Sequence, residues 1–180
     1  MADKCPSCGN HALNRISLAG GALDECEMCG ELFGPADLVE LAMLQREADE
    51  LGASIESYPL ARFLHDQPGV KVIADSNGDP VTGKLPFVSF ALTDRRLDIV
   101  ENLGKTLRLL RDNLECRWII EYTFDFEPAF ELHAARAVSN PKEQVDPARR
   151  DMSLIWRALR QYSGFGWWRR PSGRIEAPRR

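Results

Sequence analysis

Four of the five cysteines in this 180-residue chain fall in two closely spaced pairs near its start. Cys5 and Cys8 form the first pair, and Cys26 and Cys29 form the second, so the pattern is C-x2-C-x17-C-x2-C. Two residues between cysteines let a tight turn aim both sulfur atoms at one point, and the glycine after each pair lets the backbone close there. The spacing therefore predicts one site with four sulfur ligands, and this site restricts how the start of the chain can fold.

Zinc is the metal that this donor set favours. Four thiolates suit tetrahedral Zn²⁺, and a site filled entirely by protein ligands keeps no position for a reactive water, so we expect a structural site. Iron in an all-sulfur site is a chemical alternative. Redox-active cysteines are another, although the sequence shows no βαβ context of the thioredoxin kind around them. Because so short a segment has little core, metal binding should supply much of its folding free energy.

The residues around the cysteines resemble the small zinc ribbons described as transcription-factor-IIB-like. In that family CPxCG, a hairpin and CxxCGGxW precede an acidic helix start. The likeness covers about the first 45 residues, with Glu31 for the second glycine and Phe33 for the tryptophan. It is carried by Cys5-Pro6-Ser7-Cys8-Gly9, Cys26-Glu27-Met28-Cys29-Gly30, Phe33 and Asp37-Leu38. The resemblance implies zinc and a ribbon fold but no single activity, since such ribbons serve as nucleic-acid or protein adaptors.

The first half of the chain predicts a hairpin and helices. Residues 15–18 and 22–25 flank a glycine-rich turn, which is typical of a short hairpin. Gly34 and Pro35 then mark the start of a helix whose apolar residues recur at helical spacing up to Gly52. A second short helix is expected over residues 56–65, although Pro59 interrupts the pattern.

The order of elements after residue 69 is predicted as ββαββα. Strands are expected over residues 70–74, 87–92, 116–126 and 130–138, with a turn at 77–83. One helix follows Thr93 or Asp94, and the last runs from Asp146 to near Gly164. The predicted apolar stripe of the first of these helices is Leu97, Val100, Leu103, Leu107, Leu110 and Leu114. We therefore expect an α+β fold with an antiparallel sheet and helices on one face.

We divide the chain into four parts on these patterns. Residues 1–34 form the zinc ribbon, 35–68 a helical linker, 69–163 the α+β domain and 164–180 a basic, aromatic tail. No window is apolar enough to span a bilayer, and the first residues do not resemble a signal peptide. We therefore expect a cytoplasmic protein without membrane partners, in a compartment that keeps thiols reduced.

Charge is distributed unevenly along the chain. Residues 147–180 carry nine arginines against two acids, a net charge of +7, which leaves −11 for residues 1–146 out of a total of −4. Residues 1–52 alone carry −7, and a four-thiolate zinc site adds about −2. Such a ribbon suits a protein partner better than a phosphate backbone. Leu32 and Phe33 are a candidate contact edge, with packing on the chain's own helix as the alternative.

The tail is the candidate nucleic-acid-binding segment. It interleaves aromatic residues with arginines in a glycine- and proline-containing stretch, and the residues concerned are Trp167, Trp168, Arg169, Arg170 and Arg174. Arginine neutralises phosphates and tryptophan stacks on unpaired bases, which favours RNA or single-stranded DNA. The alternative is that the tryptophans dock on the sheet and the arginines meet the protein's own acidic half.

Signals for an enzyme are weaker. Residues 78–84 have P-loop spacing, but Leu85 replaces the metal-binding hydroxyl residue and Pro86 blocks the helix, so a hairpin loop is expected. Glu121, Asp125 and Glu127 could form a carboxylate face on one strand. Cys116 and His133 could form a nucleophile and its base. The sequence therefore favours a non-enzymatic protein-interaction or regulatory adaptor. Nucleic-acid binding by the tail is the alternative, and an enzyme with a carboxylate site is the weaker one.

Overall fold

The computed structural model describes residues 3–93, 97–124, 128–136 and 140–163. Within those ranges the chain forms four helices and two antiparallel sheets, one of three strands and one of four. The predicted mixed α+β class is therefore confirmed.

The smaller sheet contains the cysteine pairs. Its strands are β1 (Leu13–Leu18), β2 (Gly21–Cys26) and β3 (Leu32–Phe33), in the order β1-β2-β3. The hairpin packs on helix α1 (Ala36–Glu50), because Leu23 is buried in a small cluster with two α1 residues, Leu38 and Ala42. Leu32 packs against the same cluster, so it contributes to the chain's own core.

The larger sheet contains β4 (Val70–Ser76), β5 (Phe87–Leu92), β6 (Trp118–Phe124) and β7 (Pro128–Ala134). Their spatial order is β4-β5-β7-β6, so β4 and β6 are the edge strands. The remaining helices are α2 (Tyr58–His65), α3 (Leu97–Leu110) and α4 (Val145–Ser163). All three pack on one face of the sheet, since Leu64, Leu103 and Ile155 share a core with Phe90 and Leu132.

In two elements, α3 and β6, the burial of apolar side chains differs from the prediction. In α3 the fully buried apolar residues are Ile99 and Leu103, whereas Leu97 at the start of the predicted stripe is exposed. In β6 the alternation is present, but Tyr122 and Phe124 are 57% and 72% exposed on what was expected to be the buried face. The reason is position: β6 is an edge strand, so the end of its apolar face has a neighbouring strand on one side only.

The loop after β4 is a hairpin turn, as predicted. Asp79 and Lys84 pair across it, and the Asp79 N–H donates to the Lys84 carbonyl at 2.7 Å. Gly78 has a φ of 72°, and a Cβ there would lie 2.5 Å from the same carbonyl. Only glycine therefore fits, and the reason is a tight turn rather than close approach to a phosphate.

A buried carboxylate joins α4 to the start of β6. Asp151 accepts hydrogen bonds from the backbone N–H groups of Glu115 and Cys116 at 2.9 and 2.8 Å, and from Nε1 of Trp118 at 3.0 Å. Burial raises the pKa of Asp151, while these three donors act to lower it. The side chain is fully buried, so its carboxylate accepts hydrogen bonds from protein groups rather than from solvent.

Candidate metal centre

The two cysteine pairs form equivalent turns at the same end of the three-stranded sheet. In the first, the Gly9 N–H donates to the Cys5 carbonyl at 3.0 Å. In the second, the Gly30 N–H donates to the Cys26 carbonyl at 2.8 Å. Both glycines have a left-handed backbone, with φ of 73° and 72°. Each turn therefore closes beneath its sulfur atoms in the way that the C-x2-C-G spacing predicts.

The strand register brings the two turns together. Leu13 pairs with Cys26 at the open end of the β1-β2 hairpin, and the Glu27 N–H donates to the Ala12 carbonyl at 3.1 Å. The segment leading from the first turn is thereby fixed beside the second. The hairpin's own turn, at Ala19 and Gly20, lies at the opposite end.

All four sulfur atoms converge on one point. They lie within 4.8 Å of one another, with 3.6 Å between the sulfur atoms of Cys5 and Cys29 and 3.5 Å between those of Cys8 and Cys26. None is in a disulfide. Sulfur atoms about 2.3 Å from a tetrahedral zinc lie about 3.8 Å apart, so the donor set and its spacing fit such an ion. The predicted convergence of Cys5, Cys8, Cys26 and Cys29 is confirmed, and it makes a metal site chemically reasonable.

Electrostatics in the cluster also favour a cation. The N–H groups of Cys29 and Met28 are directed at the Cys26 sulfur and lower its pKa to about 7, against the effect of burial. The Glu31 N–H acts in the same way on Cys29, but contact with the Cys26 thiol and burial outweigh it and raise the pKa of Cys29 to about 12. Four crowded sulfur atoms cannot all become negative unless a positive charge compensates them.

The surface around the cluster is acidic with one apolar projection. Glu27 and Glu31 are exposed beside the second turn, as are the Cys8 and Cys29 side chains, whereas Cys5 and Cys26 are buried. Met28 lies between Cys26 and Cys29 and is 75% exposed. Met28 was not among the predicted site residues. Its position inside a C-x2-C turn was the sequence signal for its exposure, because both residues between the cysteines of such a turn face outward.

The turn end of the β1-β2 hairpin contacts α4 through Arg157. Nη2 of Arg157 lies 2.6 Å from the carboxylate of Asp37 at the start of α1. Its Nη1 donates to the carbonyls of Ala19 and Gly20 at 3.2 and 3.0 Å. A Cβ at Gly20 would collide with this guanidinium. Arg157 therefore clamps the hairpin turn and the α1 start to α4.

The other candidate residues do not assemble into a catalytic group within the described ranges. Nε2 of His133 lies 3.2 Å from the exposed carboxylate of Glu121, across the open face of the sheet. The Cys116 sulfur instead lies 3.9 Å from the Gln144 carbonyl, and burial raises its pKa. Cys116 and His133 thus have separate partners. The remaining predicted site residues, Asp125, Glu127, Trp167, Trp168, Arg169, Arg170 and Arg174, lie outside the described residues.

Comparison with known proteins gave no match: no family model, no curated protein and no solved structure is significantly similar to this chain. Among the helices that the structure describes, none combines the length and the apolar character that a bilayer crossing requires.

Proposed function

We propose that this protein is a zinc-ribbon adaptor that binds another protein through the metal-bearing end of its ribbon. The observation that carries the proposal is the convergence of four cysteine sulfur atoms within 4.8 Å of one another. Cys5, Cys8, Cys26 and Cys29 would hold the ion, which when bound cross-links the two turns. Because four protein ligands complete a tetrahedral site, the metal is structural.

The ribbon is built to present that end to a partner. Arg157 holds the Ala19–Gly20 turn against α4. Each strand of the hairpin has six residues, which places the cysteine turns about 20 Å from the clamp. The sulfur cluster is therefore displayed at the end of a hairpin whose other end is fixed, so a partner meets a preorganised surface.

The chemistry of this surface defines the class of partner. Met28 offers an exposed, flexible apolar side chain that adapts to an apolar pocket. Glu27 and Glu31 flank it, and the zinc–thiolate group would add about two negative charges. We infer a protein partner with an apolar pocket bordered by lysine or arginine. Nucleic acid is disfavoured at this end, since phosphates carry the same sign of charge.

A capture experiment with matched variants tests the adaptor function. The immobilised full chain should retain a specific protein from an extract of its source cells, and Met28→Asp should reduce the retained amount by about tenfold. Met43→Asp changes another exposed methionine, on α1, and should retain as much as the unchanged chain. Circular dichroism of each variant checks that the fold is preserved.

Two outcomes would contradict the adaptor function. One is equal retention by Met28→Asp and the unchanged chain. The other is a retained fraction that is released by nuclease and by moderate salt, and that disappears on deleting residues 165–180. That second result would instead support the alternative of nucleic-acid binding by the tail.

A further inference from the structure

We propose that two copies of this chain associate through strand β6 and helix α3, joining their four-stranded sheets into one continuous sheet. The surface involved is β6 together with the side of α3 that carries Val100, Gly104 and Leu107. It is separate from the cysteine cluster and contains none of the four clustered cysteines.

The two edges of the larger sheet differ in how they are protected. At β4 the register with β5 shifts between Val72 and Ala74, and such an irregularity makes an edge a poor template for another strand. At β6 the register with β7 is unbroken from Trp118 to Phe124. The seven residues of β6, WIIEYTF, contain no proline, lysine or arginine. An edge of this kind favours pairing with another strand.

Among the described residues, aromatic side chains run from the core to the β6 edge. Phe90 stacks on Phe130 with ring centroids 5.8 Å apart, and Phe130 meets Tyr122 edge-on at 5.4 Å. Tyr122 then contacts Phe124 at 6.5 Å. Phe90 is fully buried, whereas the last two rings are mostly exposed to solvent. A contiguous aromatic row that ends in solvent is typical of an interface rather than of scattered surface residues.

Helix α3 extends this apolar surface. It packs against β6, and Val100 and Leu107 are only partly buried against the core. Gly104 lies between them on the same side of the helix, and a Cβ there would meet no atom within 4 Å. The open space beside a glycine is what a second helix needs in order to approach closely. Leu97 adds an exposed apolar side chain at the start of α3.

A second copy of the chain is the occupant that these residues fit. In an antiparallel pair about a two-fold axis, Tyr122 would face Tyr122 of the other copy. Ile120 would then face Phe124, and Glu121 would face Thr123. Apolar side chains would thus meet on the helix-covered side, and the Glu121 carboxylates would avoid each other. The same axis keeps both sets of helices on one side, so α3 meets α3 at Gly104.

Mass measurement of the full chain tests the association. By light scattering after gel filtration, the protein should run at twice its 20.3 kDa chain mass, over a wide range of concentration. A Cβ at Gly104 meets no atom within 4 Å, and arginine has a higher helix propensity than glycine, so Gly104→Arg should fold. It should nevertheless raise the dissociation constant of the dimer by about tenfold or more, because the two helices can no longer approach.

A second variant and a control complete the test. Tyr122→Glu should weaken the dimer in the same way, because it places charge at the centre of the strand pair. Ile73→Glu alters an exposed apolar residue of the opposite edge strand and should leave the dimer intact. A single-chain mass at every concentration would overturn the proposal. So would a dimer that withstands both Gly104→Arg and Tyr122→Glu, or one that only Ile73→Glu disrupts.

Discussion

Asp151 shows how one residue can hold two elements together without any motif in the sequence. As a helical acid among arginines it is typical of a solvated surface position, yet it is fully buried with three N–H donors around it. Its partners lie about 35 residues away along the chain, in the segment that leads into β6. Periodicity describes one element at a time, so it cannot identify a contact between two.

Replacing the Asp151 carboxylate by an amide should destabilise the protein. In Asp151→Asn one acceptor oxygen becomes an NH₂ group that faces N–H donors, so at least one buried donor loses its partner. We expect the free energy of unfolding to fall by about 2 kcal/mol, measured by urea denaturation followed by tryptophan fluorescence. Asp146→Asn is the control, because Asp146 is an exposed residue of the same helix. Equal denaturation midpoints for the two variants would show that the Asp151 contacts contribute little.

At the level of elements, local patterns predicted most of the fold. The expected strands at 70–74 and 87–92 are found as β4 and β5, and the helix at 56–65 is found as α2. Pro59 does not disturb that helix because it lies in the first turn, where the missing N–H has no helical partner. What the patterns could not predict was depth of burial. Tyr122 and Phe124 alternate correctly, but their exposure depends on β6 being an edge strand, which only the assembled sheet determines.

The contact between the β1-β2 turn and α4 leads to a prediction at the level of elements. Arg157→Met removes the hydrogen bonds to Ala19 and Gly20 and the ion pair with Asp37 while keeping most of the side-chain volume. We expect backbone amides at the hairpin turn to exchange with deuterium at least about tenfold faster, because local opening costs less. Metal content should stay the same, since the cysteine turns lie at the other end.

Arg160→Met is the matched control for that clamp. Arg160 lies one turn after Arg157 in α4 and pairs with Glu40 of α1. Both side chains are about half exposed, so this ion pair contributes little to stability. Exchange at the hairpin turn should therefore change much less than in Arg157→Met. Similar exchange in both variants would contradict the role given to Arg157 as the clamp.

At the level of the whole molecule, the structure describes two apolar cores connected by α1. Leu38 of α1 packs in the small core beside the three-stranded sheet, and Leu41 packs in the larger core. The cysteine spacing predicted the four converging sulfur atoms, because C-x2-C turns are local and the hairpin between them is short. It could not predict where the three-stranded sheet packs on the rest of the chain, because Arg157 and its partners are more than a hundred residues apart in the sequence. The charge asymmetry predicted an acidic surface around the cysteines, whereas the exposed Met28 side chain was not among the predicted features, although it lies inside a C-x2-C turn.

Metal analysis of the purified chain tests the central claim most directly. Elemental analysis by mass spectrometry should find one zinc per chain, because the four cysteine sulfur atoms form a single site. Cys26→Ser should bind no stoichiometric zinc and should lose the ribbon structure. Tryptophan fluorescence should show that the larger core remains folded, since Trp118 and Trp156 are buried there. A chain without stoichiometric zinc, or a Cys26→Ser variant that keeps an intact ribbon, would contradict the account.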